Sequence, residues 1–316
     1  MSLFNDTERL QWVHAFIAGI PYARASNMQV TEASPNHATL AMPACGDWTG
    51  DAERQLTHPG VLTVLADTAC GVAVGTALDV MEPFATLDLR MDYLRPAVAD
   101  RELICHAECH RLSRSVAFVR GEIRQPGQDE VLATVQATFM RATASARRDP
   151  ASAAKPFARA GAKIKSEEEA TPLPPTVTPA LKAGVSPYVD YLNVHQSTVD
   201  DDSDDAPLFR LPFKPDLIGN PILPALHGGV LAGFAETAMV LHLVSTMGLS
   251  DGTPPRGVDF SIDYLRSARP VDTFAQATTI RQGSRVALVQ VTVWQDDQTK
   301  PVATARGHFL LPRDQA

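Results

Sequence analysis

The sequence predicts an α+β chain of two tandem domains, each one long buried helix and a sheet of antiparallel character. Three observations lead there. HPGVLTVLADTACGVAV (58–74) and HGGVLAGFAETAMVLHL (227–243) align without a gap at an offset of 169 residues. DLRMDYLRPA (88–97) matches DFSIDYLRSA (259–268) at an offset of 171; SVAFVRGEI (115–123) matches RVALVQVTV (285–293) at 170, as LATVQATFM (132–140) does VATARGHFL (302–310). The run after each histidine is too long for a strand and apolar on most faces, which makes it a buried helix. Blocks repeating in one order at a nearly fixed spacing are a duplicated domain.

The elements follow in chain order. ERLQWVHAFIAGI (8–20) spaces Leu, Trp, Val and Phe as a helix does. HATLAMP (37–43) and LFRLPF (208–213) read as strands, and 60–78 and 229–248 as the buried helices. Further strands are expected over 85–94, 101–112, 114–124 and 131–141; VLATVQATFM alternates cleanly, and QPGQDE (125–130) is a hairpin turn. The domains are therefore 1–141 and 187–316. Between them, 142–186 is rich in Ala, Pro, Lys, Arg and Glu with no apolar period, so it reads as a flexible tether. Its SEEEA run and the DDDSDD run at 200–205 read as solvated stretches; the latter lacks the glycine and distal glutamate of a calcium loop.

Composition narrows the function. The 316 residues are 45% apolar and 20% charged, as in a soluble globular protein with room for two cores. A net charge of −8 argues against a general nucleic-acid binder. Four cysteines do not make a disulfide scaffold, so a cytoplasmic location is expected. The N-terminus lacks a basic region followed by an apolar one, and no run of 18 residues is both apolar and free of charge, so neither a signal peptide nor a membrane span is expected. CHAECHR (105–111) offers Cys105, His106, Cys109 and His110. On a strand, residues i and i+4 lie about 13 Å apart, too far to share an ion, and the aligned Ala275, Gln276, Thr279 and Ile280 cannot ligate as a set. No metal and no cofactor are expected.

GNPILPALHGGVLAGFAE in the second half and GDAERQLTHPGVLTVLAD in the first resemble the hotdog thioesterases, specifically the phenylacetyl-CoA thioesterase-like group. The features shared are an Asn, a short spacer, HGG, and a carboxylate nine residues after the His within a long helix, together with a DYLRP-type strand. The resemblance covers both halves but not the tether. It implies two tandem hotdog domains, each a long central helix wrapped by an antiparallel sheet, that join their sheets as an intramolecular pseudo-dimer and form active sites at their interface, with acyl-CoA as substrate and CoA as part of it. Spacing supports a shared site independently. Nine helical residues rise about 13 Å, so an amide near the His and the carboxylate of the same copy cannot both meet one carbonyl carbon.

Each site is then a hybrid. Site one takes Asn220, His227 and Gly228 from the second half and Asp67 from the first. The resemblance adds Thr86, at the family's strand hydroxyl position. Its implied roles are Gly228 N–H for the thioester oxygen, Asp67 as general base or nucleophile, Thr86 and Asn220 to orient water or carbonyl, and His227 to brace the loop and aid thiolate departure. Site two combines Asp51, His58 and Pro59 with Glu236, and has Gly257 at the hydroxyl position. Proline has no N–H to donate yet suits the first turn of a helix. Asp51 puts negative charge where Asn220 puts an amide, so site two reads as degenerate. His58 and His227 read equally well as loop braces. Arg95, Arg266, Arg114 and Arg285 are duplicated basic residues, read first as surface or sheet-edge groups and otherwise as partners of CoA phosphates. The rivals are a hotdog hydratase or dehydratase, for which GNPILPALH lacks a preceding Asp and a close His, and a non-catalytic acyl-CoA-binding protein. A monomeric pseudo-dimer and a homodimer of pseudo-dimers both fit; neither nucleic acid nor membrane is an expected partner.

Overall fold

Two helices run side by side through the middle of the molecule, and their sequences explain why. The computed structural model describes residues 6–79, 82–128, 130–141, 177–179, 185–197, 207–220, 224–247 and 254–312. Its helices are α1 (Asp6–Gly19), α2 (Pro21–Ala25), α3 (Pro59–Ala77), α4 (Pro187–Leu192) and α5 (Gly228–Met247). By length and composition alone, α3 and α5 could cross a membrane, but here they are core helices, mostly buried inside the fold. Each opens on a histidine N-cap whose Nδ1 accepts from a backbone amide two residues on: Gly60 N to His58 and Gly229 N to His227, both at 3.0 Å.

The first half contributes β1 (Gln29–Ser34), β2 (His37–Met42), β3 (Thr49–Asp51), β4 (Leu56–Thr57), β5 (Phe84–Tyr93), β6 (Leu103–Leu112), β7 (Val116–Arg124) and β8 (Ala133–Arg141). The second contributes β9 (Val177–Pro179), β10 (His195–Ser197), β11 (Leu208–Leu211), β12 (Ile218–Asn220), β13 (Ala225–Leu226), β14 (Arg256–Tyr264), β15 (Thr273–Gln282), β16 (Val286–Trp294) and β17 (Ala303–Leu310). Thirteen of these form one sheet among the described residues, in the order β1-β2-β6-β7-β8-β5-β14-β17-β16-β15-β11-β10-β9. The halves meet where β5 pairs antiparallel with β14, from Asp92 opposite Asp259 to Asp88 opposite Asp263. Arg90 faces Ser261, its own counterpart in the repeat, so the pseudo-twofold axis passes there. The ribbons β3–β4 and β12–β13 lead into α3 and α5.

The helices approach more closely than side chains normally allow. A Cβ on Gly60 would lie 2.8 Å from the Cα of Gly233, and a Cβ on Gly229 2.6 Å from the Cα of Val64. These are the same contact made twice across the pseudo-axis, since Gly60 corresponds to Gly229 and Val64 to Gly233. The second glycine of each histidine motif is therefore dictated by packing.

The tether lies mostly outside the described residues. Residues 142–176 and 180–184, with the SEEEA run, and the DDDSDD run at 200–205 lie outside the described residues. Val177–Pro179, ten residues before the boundary expected at 187, pairs with β10 at the edge of the joined sheet. Along β6, strand alternation turns Cys105 and Cys109 inward and His106 and His110 outward.

Gly60→Ala, remote from the cavity described below, is expected to destabilise the protein by about 1–3 kcal/mol through overpacking. Urea unfolding measures it. An unchanged midpoint at unchanged m-value would contradict the close helix crossing.

Candidate active site

Asp67 sits in the middle of α3 and is buried, a position a carboxylate keeps only with partners. It has two hydrogen-bond partners, one from each half, with a histidine nearby. Gly229 N–H donates to Oδ2 at 2.7 Å, the Thr86 hydroxyl donates to Oδ1 at 3.0 Å, and His227 Nδ1 lies 3.4 Å from Oδ2. Thr86 reaches inward because β5 carries a bulge between Thr86 and Asp88, which re-aims the side chain. A Cβ on Gly228 would stand 3.0 Å from Asp67 Oδ2, so this first glycine is what lets the carboxylate lie against the helix end.

His227 is held at both nitrogens. Nδ1 accepts from Gly229 N–H, so the ring proton is on Nε2, 3.0 Å from Thr68 Oγ1. The Thr68 hydroxyl passes the chain on to Val64 O at 2.8 Å. Burial lowers the His227 pKa, which the nearby Asp67 charge opposes, and the neutral ring suits the cap. A ring so engaged braces the loop, with its Nε2 proton directed at Thr68. Tyr264, on β14, donates to Gly228 O at 2.7 Å and fixes the first helical residue. Burial first, and Asp67 second, raise its pKa.

A cavity of about 620 Å³ opens on this cluster. Asp67 and Thr86 line it from the first half, and Asn220, His227, Gly228 and Tyr264 from the second. The five residues named from sequence for site one thus share one hollow. Gly229, Thr68 and Tyr264 were missed. Their signal was present, because the second glycine, the threonine after the carboxylate and the tyrosine of DYLR recur in both copies.

The pseudo-equivalent place is organised differently. Glu236 is one methylene longer than Asp67, and its Oε2 accepts from Tyr93 OH at 2.9 Å instead of from Gly60 N–H. Tyr93 OH is also 2.9 Å from Thr63 Oγ1. The Tyr93 ring lies 3.3 Å from where a Gly257 Cβ would be, filling the space of the missing hydroxyl. Tyr188, fully buried, lies against His58 with ring centroids 4.6 Å apart. Asp51 accepts from the Arg54 amide at 3.0 Å and so closes its own turn. Burial pushes the His58 pKa down to about 3, and raises Glu236 to about 8 although the Tyr93 hydrogen bond opposes it. Glu236 is thus a neutral acid at pH 7, packed among rings.

The family model for the Thioesterase superfamily matches residues 55–132 and 223–302, half of the chain in two segments. The chain belongs to the thioesterase superfamily. It is a thioester hydrolase built of two tandem hotdog domains. Over 138 residues it is 29% identical to the medium/long-chain acyl-CoA thioesterase YigI of Escherichia coli, covering 40% of this chain and 88% of that protein. Among solved structures, a hot dog fold protein of Alicyclobacillus acidocaldarius aligns with a TM-score of 0.59 at 15% identity, covering 95% of this chain and 98% of that one. The tesB protein of Mycobacterium avium subs paratuberculosis gives 0.59 at 12% identity, over 96% and 100%. Both likenesses concern the fold. The hydratase and binding-only readings are not favoured by these matches.

Glu236 gives the stability a pH signature. Below about pH 4.5 the folded and unfolded chains both hold its proton, and above about 8 both have lost it. Between the two, the unfolded chain ionises while the folded one does not, so this residue's contribution falls as pH rises. Glu236→Gln should therefore gain stability over the parent progressively from pH 5 to pH 8, by a few kcal/mol in order of magnitude. Urea titrations of both proteins across that range test it, and a constant difference would contradict a buried neutral acid.

Proposed function

We propose that the chain hydrolyses a fatty or aromatic acyl-CoA to the free acid and CoA at the single hybrid site of Asp67, Thr86, Asn220, His227 and Gly228. The name of the Escherichia coli relative favours a medium to long acyl chain. The observation that carries this reading is the Asp67 carboxylate from one half lying 2.7 Å from Gly229 N at the start of the other half's helix, at the wall of the cavity.

The chemistry follows from that juxtaposition. The thioester carbonyl oxygen lies at the positive end of α5, where Gly228 N–H meets the charge that develops as the carbonyl is attacked. Tyr264 and the His227 cap hold that first turn still. Asp67 takes a proton from water as the water attacks, and the C–S bond then breaks to give the acid and a CoA thiolate that takes up that proton; or Asp67 attacks directly, displacing CoA thiolate, to give an anhydride that water then cleaves. Both routes use the same carboxylate. The Gly229 amide and Thr86 hydroxyl leave lone pairs on its oxygens for the water proton, and Asn220 orients water or carbonyl. Water is the only co-reactant, so no cofactor is needed. Site two offers none of this: Pro59 lacks the N–H, Gly257 the hydroxyl, and Glu236 is committed to Tyr93.

Asp67→Asn and Asp67→Ala should lower turnover by about 10²–10⁴-fold, with Glu236→Gln close to parental, as read by trapping the CoA freed from acyl-CoA with a thiol reagent. Equal losses at Asp67 and Glu236 would refute a single working site. Gly228→Ala keeps the N–H while crowding Asp67; Gly228→Pro also removes the donor. The proline variant should fall a further 10²–10³-fold or so below the alanine one. Matching rates would move the oxyanion donor elsewhere.

A further inference from the structure

The two copies differ along the face of the central helix beyond the carboxylate. One turn after Asp67 stands Gly71, and one turn after that Gly75; the aligned residues of the second copy are Val240 and Val244. Gly75 is used for packing, since a Cβ there would come within 2.9 Å of the Trp12 ring of α1. Gly71 is not. A Cβ on it would meet only Phe84 and Phe139, at 3.8 and 3.9 Å, which is ordinary contact. The missing side chain therefore leaves room, and the room belongs to the cavity.

Much of the lining is apolar. Phe16 of α1, Ile20 just after it, Phe84, Phe139 and Leu231 line the cavity together with Gly71. Phe84 and Phe139 stand edge to face with centroids 6.0 Å apart. Arg141, also in the lining, already serves two partners, Glu82 Oε1 and Ser113 O, each at 2.5 Å. The lining also holds exposed Arg266 and Ser267, which suit a phosphate-bearing, hydrated group.

We infer that the acyl chain of the substrate runs from Asp67 past Gly71 into the hollow beneath α1, and that Gly71 sets the length of acyl chain accepted. This rests on the thioesterase reading and adds the direction of the substrate and a specificity-determining residue. A valine at this position, as in the second copy, closes the channel without touching the reacting atoms.

The test is Gly71→Val, made in the full chain and checked for an unaltered circular dichroism spectrum. Parent and variant are assayed for kcat/KM on acetyl-, hexanoyl-, decanoyl-, palmitoyl- and phenylacetyl-CoA. The variant should lose about tenfold or more on decanoyl- and palmitoyl-CoA while the shortest accepted chain is hydrolysed as before. An unchanged profile, or an equal loss along the whole series, overturns the placement. Failure of the parent to release CoA from any member would instead refute the thioesterase reading. In that event the same series is read as ligand-induced shifts in Tm. A shift that grows with chain length in the parent but not in the variant supports the channel, and parallel shifts in both overturn it. Gly71→Ala serves as the milder variant if the valine protein does not fold.

Discussion

Everything in this molecule depends on how closely two helices can cross. At Gly60 against Gly233, and at Gly229 against Val64, backbone meets backbone with no side chain between. Only at that separation does the start of α5 reach the middle of α3, so that an amide of one half touches a carboxylate of the other. The joined sheet keeps the crossing in place. Strands β5 and β14 share a five-residue register centred on Arg90 and Ser261, and each half wraps its strands around its own helix. A slip of that seam would carry Asp67 away from the helix end, so sheet register and chemistry are coupled.

The asymmetry of the two clefts is physical as well as sequential. In one, a short carboxylate bends back onto the helix terminus and leaves a hollow. In the other, a longer acid reaches across to Tyr93, and Tyr188 lies on the histidine. The same histidine cap is kept in both, which agrees with its role: it ends a helix wherever one begins, with or without a substrate nearby.

Much of the fold was legible in the sequence because duplication states its own alignment. The central helices, the main strands and the hybrid nature of the site follow from spacing and helix rise alone. Gly228 and Thr86 were legible only through the motif. Gly229, Thr68 and Tyr264 recur in both copies, but recurrence does not say what a residue touches, and no periodicity announces a hydrogen bond across an interface. The plugging of the second cleft by Tyr188 was unreadable for the same reason: the direction in which a buried ring swings is decided by what surrounds it. The strand at Val177–Pro179 left no pattern, being three residues at a sheet edge.

The filled cleft also bears on cohesion. Rings of Tyr93, Tyr188 and His58 now occupy ground that, in a symmetric pair, would be hollow and wet, and they tie α4 and the first half's strands to α3 and α5. The filled cleft thus serves as mortar between the halves. Reopening it by mutation would have to excavate that mortar, so a chain with two working chambers should hold together less firmly than this one does.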